Sequence, residues 1–383
     1  MDGVTVRKQD QILMSLVHYF VTKENYSPIY VHGVKDEIWL EKLDGPYRVI
    51  RINTNHIFND EQFKYDQYKI DNILKQIKKK TMSWNVNALN INLNEDEGVN
   101  DDNGLKNIDN LKVKDLIEFQ NNQAVLDIFP NLKGNLIEDV KGLDLIFNVT
   151  KDINAKTERE NKKFERIFSP KVPYITYFIM FICIVLYLLL YLLGDGGGPT
   201  TLNLLRLGAN NVDLLKAGQL YRLITYAFLH GSFAHIACNM YSLYVVGTQV
   251  ESKFGKGRFL LVYLISAIAG GLTSAAFGNV ISVGASGALF GLLGSLVYFG
   301  IRFRLYLKDS LRTSIIPVII LNLFIGFVVP GIDNFCHIGG LIAGFLATMA
   351  VGIPEEKNKR DTINGWLLLL MFFCFLVYLV FFR

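Results

Sequence analysis

Cysteine, proline and tryptophan are scarce here: the 383 residues hold 4, 9 and 3 of them. Cys183, Cys238, Cys336 and Cys374 are scattered through apolar segments with no CxxC spacing. That pattern suggests no disulfide framework or thiolate metal centre and leaves small packing residues. Strong charge of either sign is also missing. The formal net charge of +4 is too small and too dispersed to argue for a nucleic-acid partner. The opening residues, Met1 to Lys8, contain no apolar core long enough for a signal peptide, so the first 170 residues are expected in the cytoplasm.

What is present is a split hidden by the average of 51% hydrophobic residues. Residues 1–170 carry most of the Lys, Asp and Glu, and from Tyr174 onward apolar runs alternate with short polar loops. A spanning helix needs about 20 mostly apolar residues. Seven segments qualify: about 174–193, 226–249, 259–277, 286–303, 314–331, 335–352 and 365–382. Several contain Gly or a polar residue, which suits packing inside a bundle. Lys151, Lys156, Arg159, Lys162, Lys163, Arg166 and Lys171 precede the first. Lys253, Lys256 and Arg258 follow the second, Arg302, Arg304, Lys308 and Arg312 the fourth, and Lys357, Lys359 and Arg360 the sixth. The alternate loops are poorer: 278–285 has no charge and 331–334 only Asp333. Positive charge marks the cytoplasmic side, which places the N-terminus inside and Arg383 outside. The semi-apolar loop 194–222 is expected to lie in the outer interface.

The soluble part reads as a small α+β or α/β domain. Ile38–Leu43 and Tyr47–Asn53 flank Asp44-Gly45, a hairpin signal. Residues from Asp60 to about Met82 have helical periodicity, Trp84–Leu93 alternates like a strand, and 155–168 reads as a charged helix leading to the membrane. The acidic stretch 94–104 matches no metal-binding loop and reads as a solvated turn. The expected division is 1–150 soluble domain, 151–172 basic linker, 173–352 six-span core, and 353–383 loop and seventh span. No chemistry is assigned to residues 1–170.

Polar groups inside a membrane are costly and need a reason. His230, His235 and His337 fall in or beside spans, with Asn239, Arg222 and Gly284-Ala285-Ser286-Gly287. A lone membrane serine is usually a packing residue or a back-bond to the preceding turn. Ser286, however, opens a span between glycine-freed backbone, where helix N–H groups favour a developing anion. His337 opens another span on the same side, at similar depth. Gly287, Gly291 and Ser295 give one helix a small face, and Gly340 and Gly344 give the other a matching one with His337 on it. Close packing of these faces would bring the imidazole within reach of the serine as a base. His235 and Asn239, spaced i, i+4, could donate hydrogen bonds to an oxyanion together with the Ser286 N–H. A two-residue metal site is the rival reading, but no carboxylates or thiolates complete the shell.

The runs His230-Gly-Ser-Phe-Ala-His235-Ile-Ala-Cys-Asn239, Gly284-Ala-Ser286-Gly287 and His337-Ile-Gly-Gly340-Leu-Ile-Ala-Gly344 resemble the three signatures of rhomboid proteases. They lie in the family's order on its second, fourth and sixth spans. The resemblance covers about 200–352. It implies a rhomboid-like helical bundle of 6+1 spans and an intramembrane serine endopeptidase with a Ser286–His337 dyad and no required third acid. It further implies that His235 and Asn239 line the oxyanion hole, that Gly284 sits in the tight loop before the nucleophile, and that the substrates are other proteins' transmembrane helices, cut near the outer leaflet. No cofactor is implied. Tyr221-Arg222 stands where the family often has Trp-Arg, and Phe290 where it often has the tyrosine that stacks on the histidine. Arg222 is expected to anchor the first loop, Glu251 to make a structural polar contact, and Asp333 to cap a helix. The competing readings are an inactive rhomboid-like protein that binds membrane clients and, from another class, a transporter.

Overall fold

The computed structural model describes residues 7–29, 31, 34–42, 45–81, 83, 85–96, 98–99, 105–137, 143–169, 171–194, 198–278, 280–303, 307, 309–354 and 358–383. Leu43 and Asp44 of the expected hairpin, Met82 at the end of the expected helix, residues 97 and 100–104 of the acidic stretch, and Arg304, Lys308 and Lys357 of the loop charges lie outside the described residues. The side chain of Lys163 does too. The chain divides into two compact units, Met1–Lys162 and Lys163–Arg383.

The first unit is a small α/β domain around a five-stranded sheet. Its elements run α1 (Lys8–Thr22), β1 (Ser27–Ile29), β2 (Glu37–Glu41), β3 (Val49–Asn53), α2 (Asp60–Thr81), β4 (Ala88–Asn92) and β5 (Ile108–Lys112). The strands lie in chain order. β1, β2 and β3 pair antiparallel; β3, β4 and β5 pair parallel, with α2 as the first crossover. β3 and β4 are buried along their whole length, as strands covered on both faces must be. Ile50, Ile52, Leu89 and Ile91 share a core with Leu16, Val17 and Phe20 of α1. Val49, Ala88 and Trp39 on the other face meet Ile70 and Leu74 of α2. That second face also carries the register row Arg51–Asn90–Asn110. Arg51 donates to Asn90 at 2.9 Å, to Glu37 at 2.9 Å and to both oxygens of Asp66 at 2.6 and 2.7 Å. A buried guanidinium is tolerable only when paired in this way.

Two expected elements change extent in this unit, and three further elements were not expected. Trp84 lies outside the described residues, and the strand expected over 84–93 is observed at Ala88–Asn92. The charged helix is longer than 155–168 and runs Leu143–Phe168. β5 and the short helices Leu116–Asn121 and Gln123–Ile128 carry no strong periodicity, yet the two helices put Phe119 and Val125 into the α1 core.

The second unit is helical. Among its described residues five helices are long and apolar enough to cross a membrane: Tyr174–Leu192, Lys256–Phe277, Leu311–Val328, Asn334–Val351 and Lys359–Phe381. Ser286–Arg302 is apolar but shorter, and the second expected segment is helical in three consecutive pieces over 233–254, with a π-turn at Leu243–Gly247. Lys256–Phe277 and Asn334–Val351 bury 61% and 56% of their apolar windows, against 17–22% for the other three, so they form the centre of the bundle. Glycine sets the spacing there. A Cβ on Gly340 would strike the Gly287 carbonyl, and one on Gly344 the Gly291 carbonyl. Thr348 donates to the Ser295 hydroxyl at 2.7 Å further down the same seam.

Buried polar residues fasten the rest. Glu251 accepts from the N–H groups of Ile175 and Thr176 at 2.9 and 2.7 Å and from the Thr176 hydroxyl at 2.7 Å, capping a span that has no side-chain cap of its own. Arg222 donates to the carbonyls of Leu205 and Ala209 at 2.7 and 2.8 Å, pinning a connection built from the short helices Thr201–Leu207, Val212–Lys216 and Arg222–Thr225. All four cysteines are free. Cys183 and Cys336 are buried, but Cys238 and Cys374 are exposed, so the packing expectation fails for those two.

Candidate active site

Ser286 is the first residue of the helix Ser286–Arg302, whose N-cap Ala285 provides no side-chain cap. The first backbone bond of that helix runs from Leu289 N–H to the Ala285 carbonyl at 2.9 Å. Donors at its mouth are therefore available to an anion. Gly284 immediately before it has φ +116°, a conformation closed to other residues without strain. Its N–H donates to the Tyr226 carbonyl at 3.0 Å, and an antiparallel bridge between Asn210 and Ser282 holds the preceding loop.

His337 lies one turn inside the helix Asn334–Val351 and is buried. Its ring stacks on Phe290, with centroids 4.3 Å apart and planes 11° from parallel. Phe290 stands one turn along from Ser286, so the stack and the Gly287–Gly340 contact together bring the imidazole to the start of the serine's helix. Among the described residues Ser286 and His337 share no hydrogen bond, and His337 Nδ1 is unpartnered. Catalytic hydrogen bonds are often long in an unoccupied site and shorten with substrate. Asp333 is the N-cap of the histidine's helix and accepts from Cys336 N–H at 3.0 Å.

His235 and Asn239 sit on the helix Phe233–Ser242, which Ser232 caps. A Cβ on Gly284 would be 2.5 Å from His235 Nε2, so this ring faces the loop before Ser286. Asn239 is buried; its amide donates to the His235 carbonyl at 2.9 Å and its Oδ1 has no partner. His230 is fully buried, meets His235 edge-on at 5.1 Å, and leaves both ring nitrogens unpartnered. Three helices thus direct a hydroxyl, an imidazole and further polar groups to one end of the bundle. Among the described residues no group of three His, Cys, Asp or Glu side chains gathers to hold a metal.

Sequence reasoning passed over Tyr226, Asn210 and Asn334. Tyr226 is fully buried, donates to the Ala267 carbonyl at 2.7 Å and touches Cys336 Sγ at 3.3 Å. Asn210 donates to the Gly271 carbonyl at 2.9 Å. Asn334 donates to Leu323 at 3.1 Å, tying the Ile316–Val328 helix to the histidine's helix. The signal for each was a polar group in an apolar context, as for the histidines.

Residues 217–354 match the family model described as Rhomboid domain. The chain is 42% identical over 200 residues to Rhomboid protease GluP of Bacillus subtilis (strain 168), an alignment covering 52% of this chain and 39% of that protein. It is 42% identical over 153 residues to RHOMBOID-like protein 5 of Arabidopsis thaliana, covering 39% and 49%. RHOMBOID-like protein 1 of the same plant is 40% identical over 176 residues, covering 44% and 45%. The chain therefore spans half or less of the length of these curated relatives.

Proposed function

We propose that this chain, which belongs to the rhomboid family, is an intramembrane serine endopeptidase that hydrolyses peptide bonds in or beside the transmembrane helices of other proteins. Ser286 Oγ is the nucleophile. His337 takes its proton as the hydroxyl attacks the scissile carbonyl, then returns it to the departing amine. The acyl ester so formed is hydrolysed by water with His337 again as base. The Ser286 N–H, His235 and Asn239 hold the oxyanion in both halves. Gly284 and Gly287 let the backbone approach, Phe290 fixes the imidazole plane, and His230 backs His235. Arg222, Glu251, Gly340 and Gly344 keep the frame. Residues 173–352 form the catalytic core, 353–383 the added span, and 1–150 with the linker 151–172 a cytoplasmic extension, with Arg383 outside.

The observation that carries this reading is the flat stack of His337 on Phe290, one turn from Ser286, beside backbone contact between Gly287 and Gly340. Purified protein incubated with a single-span substrate should give a cleavage product, and Ser286→Ala and His337→Ala proteins should give none. Product from either variant, with labelling of Ser286 by a fluorophosphonate absent in the wild type, would overturn the dyad.

A further inference from the structure

Two buried groups beside the dyad have no part in the proposed proton transfers: the Tyr226 hydroxyl and the Cys336 thiol. Tyr226 opens a tight turn, Tyr226–Phe228, between the short helix Arg222–Thr225 and the run that carries His230 and His235. Its backbone carbonyl accepts from the N–H of Gly284, in the loop that delivers Ser286. Its hydroxyl donates to the Ala267 carbonyl at 2.7 Å, in the central helix Lys256–Phe277. The same oxygen lies 3.3 Å from the sulfur of Cys336, the residue immediately before His337. A phenolic hydroxyl has one proton to give. With that proton on Ala267, the thiol is the donor to the tyrosine oxygen.

Packing alone calls for neither polar atom. Phenylalanine would fill the space of Tyr226 with no buried hydroxyl to satisfy, and an unsatisfied one is costly. Glycines on two helices make the room instead. A Cβ on Gly270 would stand 3.2 Å from the Tyr226 hydroxyl and 3.1 Å from the Cys336 sulfur. One on Gly287, next to Ser286, would stand 3.1 and 2.6 Å from the same two atoms. The sulfur also touches the Ser282 hydroxyl, in the loop before the nucleophile. One side chain and its own carbonyl thus meet the serine's loop, the central helix and the start of the histidine's helix. Displacing either partner of a catalytic pair by about 1 Å can cost about a hundredfold in rate.

We propose that Tyr226 is a positioning residue for the dyad, an inference that rests on the protease reading. Its carbonyl fixes the loop that presents Ser286, and its hydroxyl, through Cys336, fixes the first turn that presents His337. The test is steady-state cleavage of a single-span substrate by the full-length protein in detergent. The rate of Ser286 labelling by a fluorophosphonate and the thermal midpoint are measured on the same samples. Tyr226→Phe should lower kcat and the labelling rate together, each by about tenfold, with KM unchanged. Cys336→Ala should also lower kcat, and the double variant should be no slower than Tyr226→Phe, because hydroxyl and thiol act as one unit. Tyr263→Phe should match the wild type, since that tyrosine is equally buried and its hydroxyl has no partner among the described residues. Wild-type kcat in either single variant, a change confined to KM or to the thermal midpoint, or losses that multiply in the double variant would each overturn the positioning role and leave the protease reading standing. If Tyr226→Phe does not fold, the kcat of Cys336→Ala alone decides. A wild type that neither cleaves nor labels overturns both.

Discussion

At the scale of single residues, geometry at the mouth of the serine's helix is tight enough to make small changes costly. Gly284→Ala places a methyl 2.5 Å from His235 Nε2 and forces φ +116° on a residue that resists it. Strain of this kind costs about 1–3 kcal/mol, so turnover should fall about 5- to 150-fold in a single-turnover cleavage assay. Asn239→Ala and His235→Ala test the oxyanion assignment. Removing one such donor costs about 2.7–4 kcal/mol in a well-studied protease, and unchanged turnover would dismiss the role. Ser286, His337, His235 and Asn239 were legible because polar groups in apolar runs fall at motif spacing. Tyr226, Asn210 and Asn334 were not, because their partners are backbone carbonyls that only folding brings near.

Among elements, the decisive contact is glycine against backbone. Gly340→Val would push the histidine's helix away from the Gly287 carbonyl and carry the imidazole with it. Activity should be lost and the thermal midpoint lowered, whereas Gly257→Val, with open space around it, should change neither. Glu251→Ala instead strips three hydrogen bonds from the start of Tyr174–Leu192. Leaving buried donors unsatisfied costs about 1–3 kcal/mol, read as a lower unfolding midpoint in detergent. Among the described residues, hydropathy located the long apolar helices, since period and length suffice for that, but it missed α1 and the short helices Thr201–Leu207 and Val212–Lys216. It could not foresee the π-turn at Leu243–Gly247 or the late start of β4, which tertiary packing decides.

At the scale of the whole molecule, each of the two units has its own hydrophobic core. The hydropathy break near residue 170 lies a little beyond the boundary between the units at Lys162 and Lys163. The role of the first unit was not announced, because its distinctive feature is a network of Arg51, Glu37, Asp66 and Lys69 drawn from three elements rather than a motif. This network gives the first unit its own response to acid. Burial opposes ionisation of Glu37, but hydrogen bonding and charge from Arg51, then from Lys69, overcome it and hold the carboxyl below its ordinary value of 4.5. A carboxyl depressed in the folded state binds its proton more readily once unfolded. Its stabilisation is therefore complete above about pH 4.5 and is lost as pH falls through the lower folded value. Trp39, which donates to Glu37 at 2.9 Å, reports this directly. Its fluorescence should show an acid transition below pH 4.5 that flattens in Glu37→Gln, a variant already less stable at pH 7. An acid limb equally steep in wild type and variant would show that other carboxyls govern it.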